Sequence, residues 1–112
     1  MNAEEFVAGL KEISKPANSD EISDLKKAIF AWFQAVPEEL FLDTFRELAA
    51  MPQNPRREVM RMEIVIERFQ IYLTPEVADK IRPHHQFTMN LELAICIADI
   101  ITLLEEMSHR DV

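Results

Sequence analysis

The chain has 112 residues, 48% of them apolar and 29% charged, and a formal charge of −8. That length and balance fit one globular domain with a core of its own and argue against a disordered chain. One Gly beside six Pro and six Met argues against turn-rich all-β folds and glycine-rich phosphate loops, and a net anion is a poor default ligand for nucleic acid.

From about 3 to 14, Phe6, Val7, Leu10 and Ile13 recur at helical spacing. Pro16-Ala17-Asn18 interrupts this first helix, and Ser19 is placed to cap the next. Asp20 and Glu21 follow in a first turn where acids favour the helix dipole. A helix over about 20–35 is expected to bury Ile22, Leu25, Ile29, Trp32, Phe33 and Val36, with Phe30 completing an aromatic centre. Pro37 closes it, because the residue before a proline is pushed out of helical geometry. Pro37 also suits the first turn of a helix running to about 50, striped by Leu40, Phe41, Phe45, Leu48 and Ala49.

Met51-Pro52-Gln53-Asn54-Pro55 reads as a loop. Asn54 is expected to cap, and Pro55 to start, a helix over about 55–73. Its buried face is read as Val59, Met62, Ile66, Phe69 and Leu73, at alternating steps of three and four. Thr74-Pro75-Glu76 repeats the pattern of cap, proline and acid, and opens a short helix to about 81. Arg82-Pro83-His84-His85 breaks the chain before a final helix over about 87–108. Ten aliphatic residues between Leu91 and Leu104 ring that helix, leaving Glu92, Asp99 and Glu106 as one narrow polar stripe. A helix apolar nearly all round is central in its domain or shared with a partner. The stretch 91–104 is 14 residues with two acids inside, against the roughly 20 apolar residues a membrane span needs. The expected fold is all-α: residues 1–112 form a single domain, a compact five- to six-helix bundle or orthogonal array around a central apolar C-terminal helix.

Few residues carry chemistry. Cys96 is the only cysteine, so no internal disulfide and no cysteine zinc framework can form, which fits a reducing compartment. Set among isoleucines, it reads as inert core. His84 and His85 are adjacent, whereas helical metal ligands come three or four apart, so they read as exposed imidazoles at a helix entry. Glu106 and His109 have the Glu-x-x-His spacing of di-metal carboxylate bundles, but such sites need two of these motifs and two further glutamates. Glu63 and Glu67, four apart, do acid/base work only if one is desolvated, and Arg57, Arg61 and Arg68 on the same helix point to ion pairing instead. No phosphate loop, dinucleotide fingerprint or nucleophile with a local base appears, so no enzymatic activity, cofactor or metal is expected.

Two charged surfaces stand as partner-binding candidates. One is acidic: Glu38, Glu39, Asp43 and Glu47 on the helix of 37–50, with Asp20, Glu21 and Asp24 nearby. The other is the sole basic concentration, Arg57, Arg61 and Arg68 with Arg56. Positive charge in a first turn opposes the helix dipole, which implies a task, such as gripping an acidic patch on a second subunit. A nucleic-acid recognition helix is disfavoured, because Glu58, Glu63 and Glu67 interleave. The expected function is a non-enzymatic acidic helical protein–protein interaction module, regulatory and self-associating as a homodimer through the last helix and the helix of 55–73. Met60, Met62, Met89 and Met107 would let such an interface adapt. The alternative is an acidic inhibitor or immunity-type protein that covers a basic site on a nuclease or nucleic-acid-binding partner. The acidic start, Met1-Asn2-Ala3-Glu4-Glu5, lacks the basic and then apolar pattern of a secretory leader, and a cytoplasmic location away from membranes is expected.

Overall fold

Trp32 and Phe33 sit side by side on a helix that ends at Ala35, and the fold is assembled around them. The structure, a computed structural model, describes residues 5, 8, 9, 24–81 and 86–110, with backbone only at 86, 87, 109 and 110. Its elements are α1 (Asp24–Ala35), α2 (Glu38–Ala49), α3 (Arg57–Phe69), a 3-10 turn (Gln70–Tyr72), α4 (Pro75–Lys80) and α5 (Gln86–Arg110). The chain is all-α as expected, with no strand among the described residues. Glu5, Ala8 and Gly9 are also helical and fall within the first expected helix; the rest of that helix, Ser19 to Ile22, and the break at 82–85 lie outside the described residues.

α5 is the spine, packed against α1, α2 and α3, while α1 also packs on α4. Pro37 does what its chemistry dictates: it stands extended at φ −55° and ψ 137°, and its carbonyl accepts the first helical bond of α2, from the Phe41 N–H at 2.9 Å. Thr74 caps α4 as expected, its hydroxyl accepting from the Val77 N–H at 3.3 Å with Pro75 in the first turn. Gly9, the only glycine, marks a close approach: a Cβ there would stand 2.9 Å from both terminal methyls of Leu103 on α5.

The centre is aromatic. Phe33 from α1 meets Phe41 and Phe45 from α2 at 5.8 Å each, and Phe69 from α3 at 6.0 Å, all edge-on. Phe41 and Phe69 stack at 5.9 Å with an 11° interplanar angle. Trp32 closes one side of this cluster. Its Nε1–H donates to the Phe69 carbonyl at 2.8 Å, in the buried interior. In a continuing α-helix that carbonyl would accept from the Leu73 N–H. Here Leu73 donates to Gln70 instead, at 3.2 Å. The helix expected to reach about 73 therefore ends at Phe69 and tightens into a 3-10 turn, because an indole from another helix holds its last carbonyl.

Two further expectations on α3 are corrected. It starts at Arg57, not at Pro55, because Asn54 closes a turn ahead of the helix, its Oδ1 accepting from the Arg56 N–H at 2.8 Å. Its buried face is Arg61, Val65 and Phe69, with Val59 and Ile66 left 43% and 37% exposed. The helix is rolled by about one residue step from the apolar stripe, which turns Arg61 inward.

In α5 the chain covers Leu93, Cys96, Ile97, Ile100, Ile101, Leu104 and Met107, and leaves Leu91 56% and Ile95 41% exposed. Its surplus of apolar surface is one stripe, not the whole circumference.

Trp32→Phe keeps an aromatic ring but leaves the buried Phe69 carbonyl without its donor. The expected loss is about 1–3 kcal/mol in urea unfolding, the cost of an orphaned buried acceptor.

Candidate functional site

The arginines of α3 repeat at steps of four and seven, so Arg57, Arg61 and Arg68 share one side of the helix. That side faces α2. The Arg61 side chain is only 7% exposed, and its Nε–H donates to the Leu48 carbonyl at 3.1 Å. Leu48 lies in the last turn of α2, where carbonyls lack helical partners. The Met51 N–H donates to the same oxygen at 3.3 Å. Burial pulls the Arg61 pKa down, followed by the charge of Arg57, while Glu58 and Glu105 oppose the shift. A guanidinium stays charged through such a shift.

Arg68 holds both carboxylate oxygens of Glu47 on α2, through Nη1 to Oε2 and through Nη2 to Oε1 at 3.1 Å. The Arg68 hydrogen bond draws the Glu47 carboxyl below the usual range, and the same bond raises Arg68. The stabilisation from this pair is therefore complete above the ordinary carboxylate pKa and is lost as pH falls through the lowered value. Arg57 is 21% exposed, 3.7 Å from Glu58. Arg68 thus grips a carboxylate and Arg61 a carbonyl of their own chain, and together they clamp α3 to α2.

This trims both candidate surfaces. Glu47, Arg61 and Arg68 are engaged inside the subunit, while Glu38, Glu39 and Asp43 remain exposed on α2, with Asp43 3.9 Å from Arg46. Glu63 and Glu67 are both exposed, so neither is desolvated for acid/base work. Cys96 is fully buried, and burial pushes its thiol up to about 12, so no thiolate forms near neutral pH. His84, His85 and the His109 side chain lie outside the described residues. Among the described residues no three His, Cys, Asp or Glu gather to hold a metal. A cleft of about 320 Å³ between α1 and α4 has Lys27, Lys80 and Glu76 around an alanine floor, and one of about 290 Å³ on α5 is lined by Asp99, Thr102, Leu103 and Glu106. Neither pairs a nucleophile with a base.

The other side of α3 is different in kind. Val59, Glu63, Ile66 and Gln70 follow one another at steps of four, three and four, and all are exposed. On α5, Thr88, Leu91, Ile95, Ala98 and Thr102 form a second exposed stripe at steps of three and four. The two helices pack together, with the Arg61 end of α3 within the field of Glu105 on α5. Ile71, in the turn after α3, is 82% exposed. Sequence periodicity placed Val59 and Ile66 in the core; the signal that they lie outside was the stripe Arg57, Arg61, Val65 and Phe69, which a hydropathy pattern discards because half of it is arginine. The chain matches no family model, no curated protein and no solved structure.

Arg61→Met removes the donor beneath α2 and is expected to cost about 2 kcal/mol, whereas Arg68→Gln, on the surface, changes little and only at low salt. Denaturant titrations of the two variants at low and high salt separate them. For Cys96, the native state keeps a proton that the unfolded chain releases between the ordinary value of 9.0 and about 12. Stability is unaffected below that window and falls as pH rises through it. Cys96→Ala is expected to flatten this alkaline slope, as read from unfolding midpoints across the window.

Proposed function

We propose that the chain is a non-enzymatic protein-interaction module, regulatory in role, whose contact surface is the outer side of α3 and α5. The observation that carries this reading is the exposure of Val59 and Ile66 on one helix and Leu91 and Ile95 on its neighbour. Single exposed apolar residues are ordinary; four on two helices that pack together, with Ile71 beside them in sequence, support a binding face. The reactive groups favour the same reading, since Cys96 is sealed in the core and Arg61 and Arg68 serve the joint between α2 and α3. A homodimer through α3 and α5 is one form of it. A cytoplasmic setting belongs to the proposal on the strength of one free thiol; no described helix is long and apolar enough to cross a membrane.

A second reading, an acidic inhibitor of a basic partner, is favoured by Glu38, Glu39 and Asp43, which remain exposed in two turns of α2.

The test is the size of the chain in extract of its native host. The intact chain is expected to elute above its own 13.0 kDa, and the Ile66→Gln, Ile95→Gln double variant at that mass. Both residues lie partly in solvent, so the thermal midpoint should move by only a few degrees, about what a surface change produces. Elution of both proteins as free monomers would refute the module. If instead the shift survives the double variant and is lost in Glu38→Gln, Glu39→Gln, the acidic reading prevails.

A further inference from the structure

We draw no further inference here: the strongest candidate, the exposed apolar stripe of Val59 and Ile66 on α3 and Leu91 and Ile95 on α5, belongs to the surface already described, and nothing in the structure shows what covers it.

Discussion

The indole N–H of Trp32 on the Phe69 carbonyl is the contact from which the arrangement follows. It joins α1 to the end of α3 across 37 residues of sequence, in the buried interior. A buried carbonyl without a donor costs far more than a hydrogen bond nets, so the position of Trp32 fixes where α3 ends. The tightened turn that follows ends on Leu73 in extended geometry, and Thr74-Pro75 then starts α4 where it packs against α1. The four phenylalanines around Phe33 supply the area, but faces of aromatic rings slide easily. The indole bond is directional, and it sets the register.

A second directional contact acts at the other end of α3. Arg61 could sit in solvent, as its charge suggests, only if the Leu48 carbonyl of α2 lost one of its two donors. With Arg61 inward, Val65 and Phe69 follow it to the core and Val59 and Ile66 turn away. The exposed stripe on α3 is thus a consequence of how α2 ends. One buried cation at a helix C-terminus, where the dipole favours it, has decided which apolar residues the protein shows.

The parts of the fold legible in the sequence are those set by local chemistry. Pro37, Thr74-Pro75 and the run Leu25, Ile29, Trp32, Phe33 specify boundaries and a buried face that need no information from elsewhere, and each stands where periodicity and capping place it. The roll of α3 was not legible, because Val59, Met62 and Ile66 have perfectly good helical spacing and nothing local says that an arginine outranks them. Asn54 misleads for a related reason: its side chain is as able to close a turn as to cap a helix, and Arg56 N–H is the donor it reaches. In α5 the composition announced a central helix, and three neighbouring helices cover it. Which stripe stays open depends on where those neighbours lie, and no pattern within α5 records that.

The candidate surface was legible only as charge, and charge read in one dimension is ambiguous. Arginines and glutamates interleave along α3 and cancel in a linear count. Folding separates them, because Arg61 and Arg68 reach toward the carbonyl and carboxylate that α2 presents, and Glu63 and Glu67 are left on the far side with the displaced aliphatics. The same helix is neutralised on one flank and acidic on the other. Apolar surface alone discriminates poorly between partners, so on the proposed interaction-module reading discrimination falls to the charged residues beside the stripe. The interactions that clamp α2 to α3 are therefore also the ones that leave Glu63 and Glu67 in solvent with Val59 and Ile66.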